Sequence, residues 1–187
     1  LIEIIGQDLV ADGLEFDADE AAWLQDHPRI RVGVPRHGWP PFDLMESDGS
    51  YQGISADFLR RVGERLGLGI EPVYFDDWQQ AQDALRERRV DVLPSMARLP
   101  ARQSWAAFSE PYLISPSLLF PRRESALQGV ADLAGKRVAV ERGYAVQAML
   151  RERAPGVLLV ETADTEAALR AVSSGRADGY VGNMIVA

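Results

Sequence analysis

The 187-residue sequence predicts an α/β protein built as two successive lobes. Residues 29–94 alternate short apolar runs with helical periodicity in the order β-α-β-α-β. An apolar stretch over 113–120 then reads as a crossing out of the first lobe, and the same alternation resumes over 137–183. Strands separated by helices pair in parallel through right-handed crossovers. The expected division is a lead-in helix or linker over 1–28, lobe 1 over 29–116 and lobe 2 over 117–187.

The lead-in holds an amphipathic stretch over 16–26, with Asp17 placed to cap a short helix. Trp23 and Leu24 are expected to face the lobe that follows. A strand over 29–34 enters a proline-rich aromatic loop over 35–42, where backbone choice is narrow. Asp48-Gly49 marks a turn between two short extended pieces. Ile54, Phe58, Leu59, Val62 and Leu66 recur at helical spacing, which predicts a helix over 55–66 closed by Gly67. A strand over 70–75 leads to Asp76-Asp77, an N-cap signal for a helix over 78–88, and a short buried strand is expected over 90–94. In lobe 2, strands are expected over 137–140, 157–161 and 179–181. Helices are expected from Gly143-Tyr144-Ala145 onward and over 165–174.

The net charge of −8 and the scattered arginines argue against a nucleic-acid surface, which needs clustered cations. There is no cysteine, which excludes disulfides, zinc–thiolate sites and a thiol nucleophile. His27 and His37 are the only histidines, so a multi-histidine metal site is excluded, and no cofactor is called for. No apolar run is long enough to cross a bilayer, and no signal peptide is visible. The first and last residues read as the interior of a longer polypeptide.

Eight ordered pieces carry a resemblance. They are Glu20-Ala-Ala-Trp-Leu24 with His27-Pro28, Trp39-Pro-Pro-Phe42, Gly53-Ile-Ser-Ala-Asp57, Val90-Asp-Val-Leu-Pro94, Pro100-Ala-Arg102, Phe108-Ser-Glu-Pro-Tyr112, Leu133-Ala-Gly-Lys-Arg-Val-Ala-Val140 and Gly175-Arg-Ala-Asp-Gly-Tyr-Val-Gly-Asn183. Together, over about residues 20–187, they resemble the type 2 periplasmic solute-binding proteins (family 3), or Venus-flytrap domains. The versions fused to bacterial histidine kinases and other membrane signalling proteins are the nearest in pattern. The resemblance implies the periplasmic-binding-protein-like II fold, with two lobes joined by a hinge. It also implies that the chain returns to lobe 1 through a second crossing, a segment that lies outside this sequence.

The resemblance implies ligand-binding positions. Arg102 matches the arginine that pairs with a ligand carboxylate, a task for which a planar guanidinium fork is suited; spacing alone reads it as a surface arginine. Ser95 and Ala97 precede it where relatives place hydroxyls, and Ala97 lacks one. Trp39 and Trp78 follow strand ends, where aromatics sandwich a ligand, against the alternative of core packing. Phe42 reads as core, and Arg36 either points toward an anionic ligand group or is a solvated loop residue. Tyr144 and Ala145 stand at a helix N-terminus, whose free N–H groups favour an anion. Asn183 replaces the aspartate that meets an amino-acid ammonium, or else caps the hinge.

The functional expectation is an extracytoplasmic, non-enzymatic sensor domain that closes on a small amino acid or carboxylate. Its partners are that ligand, the membrane through the rest of the protein and a second copy as a homodimer, with no nucleic acid and no metal. Three alternatives stand beside it: a soluble receptor delivering amino acids to a transporter, a dehydratase-type enzyme on the same fold, and a ligand-free regulator whose lobes hold a signalling kinase in one state, which the departures at Ala97, Ala145 and Asn183 favour. The enzyme needs an acid–base pair, which the candidate positions do not offer.

Overall fold

The computed structural model describes residues 3–4, 14–123 and 125–187. These divide into two compact units, one comprising 3–4, 14–76 and 80–114, the other 77–79, 115–123 and 125–187.

The first unit runs β1 (Glu3–Ile4), α1 (Ala18–Asp26), β2 (Arg29–Pro35), β3 (Leu44–Met45), β4 (Tyr51–Gln52), α2 (Ile54–Leu66), β5 (Gly69–Phe75), α3 (Trp78–Arg86), α4 (Pro100–Gln103) and β6 (Leu113–Ile114). β2 and β5 pair in parallel from Arg29↔Gly69 to Pro35↔Phe75. β3 pairs with β4, and β1 with β6, both antiparallel. The core joins Ile30, Val32 and Val34 of β2 to Leu59 and Leu68, with Leu24 packed against it.

Asp17 caps α1 as expected: Glu20 N–H donates to its carboxylate at 2.8 Å, and the Glu20 carboxylate accepts from Asp17 N–H at 3.1 Å. Trp23 departs from the expectation. It is 46% exposed and stacks on His27 at 4.3 Å, leaving Leu24 alone to face the core. Ile54 also points outward, because it opens α2 while the helix buries Ser55, Ala56, Leu59 and Gly63.

The strand expected over 90–94 shrinks to one bridge, Val32↔Val92. The Arg31 backbone N–H, which a ladder would use, donates instead to the Asp91 side chain at 2.8 Å. Asp76, just before α3, is held on two sides. The Asp76 carboxylate pairs with Arg36 at 3.5 Å, while its N–H donates to Gln80 at 3.3 Å.

The second unit contains β7 (Ser117–Pro121), a 3-10 turn (Val130–Leu133), β8 (Arg137–Glu141), α5 (Ala145–Arg153), β9 (Leu158–Thr162), α6 (Thr165–Ser173) and β10 (Gly179–Asn183). Its sheet has the order β7-β10-β8-β9, parallel except for the β10–β7 pair. Successive residues of β8 alternate between two cores. Val138 and Val140 pack with Leu133, Val146 and Leu150. Ala139 joins Ala168, Ala171, Ala177 and Tyr180, where small side chains let α6 lie close to the sheet.

No helix among the described residues is long and apolar enough to cross a membrane.

Candidate functional site

Parallel sheets offer ligands the loops beyond the carboxyl ends of their strands. In the first unit these are the loop after β2, the segment between β5 and α3, and the loop from Leu93 to α4.

Proline and hydrogen bonding shape the first loop. Trp39 N–H donates to the Asp43 carbonyl at 2.6 Å, and Phe42 N–H to the Trp39 carbonyl at 2.8 Å. Trp39 is half-buried and tilts over Phe42 at 4.8 Å, while Phe42 sits in the core at 2% exposure. The loop carbonyls also receive the start of α2: Ile54 N–H donates to Pro41 and Ser55 N–H to Phe42, each at 3.0 Å. That approach needs Gly53, whose φ is 107° and whose place leaves no room for a Cβ, since one would lie 2.3 Å from the Phe42 carbonyl oxygen.

The result is a buried polar chain that the sequence reading did not contain. Tyr51 donates to Asp43 Oδ1 at 2.5 Å, and Ser95 Oγ is hydrogen-bonded to Asp43 Oδ2. Ser55 Oγ lies 3.0 Å from both Ser95 Oγ and the Tyr112 hydroxyl, and Tyr112 donates to the Pro94 carbonyl at 3.0 Å. Asp43 is 3% exposed. Burial pushes its carboxyl above the usual range, against the opposing pull of the Ser95, Tyr51 and Ser55 hydroxyls. Burial, then the neighbouring Asp43 carboxyl, raises the Tyr51 phenol as well. Ser95 thus turns its hydroxyl to Asp43, where the resemblance implies a hydroxyl turned to a ligand.

Arg102, on α4, is 6% exposed, and its Nη1 donates to the Ala97 carbonyl at 2.9 Å. Burial first, then the charge of Arg86, lowers its affinity for its proton. Arg86 lies over the Trp105 ring at 4.2 Å and is paired with Asp83 at 2.7 Å. The motifs around Arg102 are stitched together by Arg98, which donates to the Ser109 carbonyl at 2.7 Å and pairs with Glu110 at 3.5 Å. Ala97 is exposed, and its contribution is the backbone carbonyl that holds Arg102. Arg36 is exposed and turned to Asp76.

In the second unit the carboxyl ends of β8 and β10 carry the other candidates. Tyr144 occupies the N-cap position of α5, with Ala145 the first helical residue. Gly143 N–H donates to Gln147 Oε1 at 3.0 Å, and Gln147 is 6% exposed. Trp78 opens α3 but belongs with Gln79 to the second unit; it is buried, and its ring meets that of Tyr144 edge-on at 6.0 Å. Glu141, at 1% exposure, accepts from Thr165 at 2.7 Å and Tyr180 at 2.6 Å on one oxygen.

Asn183 closes β10. Its Oδ1 accepts from both Ser115 Oγ and the Ile185 N–H, each at 2.8 Å. That pattern is a cap, and it settles which amide atom is which, because a backbone N–H needs an acceptor. The Nδ2 group is therefore the end of Asn183 left to donate.

Among the described residues no cluster of three or more metal-ligating side chains occurs.

Comparison with known proteins matches this geometry to a group. The virulence sensor protein BvgS of Bordetella pertussis is 31% identical over 173 residues, covering 92% of this chain and 14% of BvgS. The putative amino-acid ABC transporter-binding protein PatH of Vibrio harveyi is 29% identical over 164 residues, covering 86% of this chain and 64% of PatH. The crystal structure of a double-mutant BvgS VFT2 domain from B. pertussis superposes with a TM-score of 0.80 at 29% identity, covering 92% of this chain and 73% of that one. This chain spans about 15% of the length of the sensor proteins it matches. The model of the bacterial extracellular solute-binding proteins, family 3, matches residues 30–175, and the chain belongs to that family.

Proposed function

We propose that this chain is an extracytoplasmic ligand-sensing domain of a membrane signalling protein, and that its ligand is a small carboxylate. The observation that carries the reading is the buried guanidinium of Arg102, held by the Ala97 carbonyl at the carboxyl edge of the first unit's strands. A cation removed from water attracts an anion more strongly than an exposed one, and its planar donors fit a carboxylate. Ser95, Ala97, Trp39 and Arg36 of the first unit, and Trp78, Tyr144, Ala145 and Asn183 of the second, are the remaining candidate contacts.

Asn183 narrows the ligand class. With Oδ1 occupied by Ser115 and Ile185, it offers an N–H donor. A donor suits a carboxylate or carbonyl oxygen and gives an ammonium no partner. The similarity to BvgS supports a sensor over a free receptor. Ligand-dependent hinge closure would act by binding one arrangement of the protein better than another, altering a cytoplasmic output domain elsewhere in the full protein. The similarity to PatH favours a second reading, a soluble receptor that passes its solute to a transporter.

The test is a thermal-shift screen of amino acids, carboxylates and amides on the domain. At least one carboxylate is expected to raise the melting temperature, and Arg102→Ala is expected to abolish that rise. A rise unchanged by the substitution removes Arg102 from the site.

A further inference from the structure

The polar chain around Asp43 is one proton short if Asp43 is ionised. It contains five hydrogen-bonded contacts: Tyr51 with Asp43, Ser95 with Asp43, Ser95 with Ser55, Ser55 with Tyr112, and Tyr112 with the Pro94 carbonyl. Each contact needs one hydrogen. The hydroxyls of Tyr51, Ser55, Ser95 and Tyr112 bring four, while a carboxylate and a carbonyl bring none. We propose that Asp43 carries the fifth proton and is a neutral carboxylic acid in the folded protein, where it acts as a positioning residue for Ser95 and Tyr112. Donation then runs in one direction, from Tyr51 to Asp43, Asp43 to Ser95, Ser95 to Ser55, Ser55 to Tyr112, and Tyr112 to the Pro94 carbonyl. Every hydroxyl donates once and accepts at most once.

The surroundings favour the same state. At 3% exposure an ionised carboxylate would carry a large desolvation penalty. Tyr51 faces Asp43 from β4, Ser55 from α2 and Ser95 from the loop after Val92, with the Tyr112 phenol one step beyond Ser55. Among the described residues no Arg, Lys or His side chain is hydrogen-bonded to Asp43. Arg36 and His37 of its own loop are exposed and turned elsewhere: Arg36 pairs with Asp76, and His37 Nδ1 meets the Gly38 carbonyl at 2.7 Å.

The proton comes from solvent and is lost to it as pH rises. Ionised Asp43 draws the Ser95 proton back to itself, and Ser55 is left with one proton for two acceptors. The link from Ser95, on the loop after Val92, to Tyr112, immediately before β6, is therefore complete only in the acid form. Its consequence for sensing rests on the proposed function above; the proton count does not.

The experiment uses the domain without ligand. Unfolding by urea is followed for the wild type and Asp43→Asn from about pH 4 to about pH 9. Asparagine copies the neutral acid, with an amide that donates to Ser95 and an oxygen that accepts from Tyr51. The folded state is expected to bind one more proton than the unfolded state between the unfolded and folded pKa of Asp43. The wild type should then lose up to about tenfold in its folding constant, relative to the variant, per pH unit across that window. A constant difference, or a wild type that gains with rising pH, overturns the proposal. The carboxyl carbon NMR signal of Asp43 reads the same titration even if Asp43→Asn does not fold. Ser55→Ala leaves three contacts for the three hydroxyl protons of Tyr51, Ser95 and Tyr112. It should lower the Asp43 midpoint, and an unchanged midpoint also overturns the proposal. No solute is used, so the failure of the sensing proposal and the failure of this one are separate results.

Discussion

Arg31 grips Asp91 at three points, with its backbone N–H, Nε and Nη2 reaching the carboxylate at 2.8, 3.0 and 2.7 Å. The second unit repeats the arrangement. Arg137 reaches Asp178 with the same three groups at 2.9, 3.4 and 2.7 Å. In each unit a strand that enters the parallel sheet early is locked to the chain two crossings later. Such bidentate, charge-assisted geometry holds better than a scattered surface pair.

Asp91→Asn should weaken this lock in a pH-dependent way. The hydrogen bond from Arg31 holds the Asp91 carboxyl below its usual range. The folded pKa is depressed, so the contribution is present above the unfolded value of about 3.9 and is lost as pH falls through the folded value. A melting temperature lower by about 1–3 °C is expected for the variant near neutral pH. The gap to the wild type should close in acid, as thermal unfolding across pH would record.

Arg102→Lys should keep the charge at this position and lose the fork. A carboxylate that stabilises the wild type is expected to bind about tenfold more weakly, equal to ~1.4 kcal/mol. Titration calorimetry reads this directly. An affinity equal to that of the wild type means the guanidinium acts as a point charge or not at all.

Asn183→Asp should reverse the preference at the end of β10. One oxygen can still accept from Ser115 and Ile185, and the second replaces a donor with a negative acceptor. Comparing glutarate with L-glutamate isolates the α-ammonium. Glutarate is expected to lose about tenfold in affinity or more, while L-glutamate gains relative to it. Retention of the wild-type order would take Asn183 away from the ligand.

Tyr180→Phe should leave Glu141 buried with Thr165 as its sole remaining donor among the described residues. Removing one hydrogen-bond partner of a buried polar group costs about 1–3 kcal/mol. Urea unfolding should show that loss as a lower midpoint with an unchanged slope.

Much of the fold was legible because it repeats over short distances. The apolar run of β2, the capping box at Asp17 and the spacing of Leu59 and Gly67 are properties of neighbouring residues. The lost strand over 90–94 was not legible, because an aspartate side chain competes there for a backbone donor. Trp23 was misread because its exposed ring finds His27 one turn away instead of the core. Of the candidate site, Arg102 and Asn183 were found through motifs, but the partners that define what they can do lie elsewhere in the sequence. The Asp43 chain draws on residues 43, 51, 55, 95 and 112, and only tertiary folding brings them together. An acidic residue after Phe42 reads as exposed by default, since carboxylates are rarely buried.

Gly182 has a neighbour that shapes how this corner of the protein can change. A Cβ there would lie 1.7 Å from the Tyr180 hydroxyl, so the phenol ring fills the space a side chain would take. That ring is what carries the hydroxyl to Glu141. A side chain at 182 therefore displaces the tyrosine ring, and displacing that ring removes one of the two donors to Glu141. Substitution at 182 is therefore expected to disturb position 141 through the ring of Tyr180.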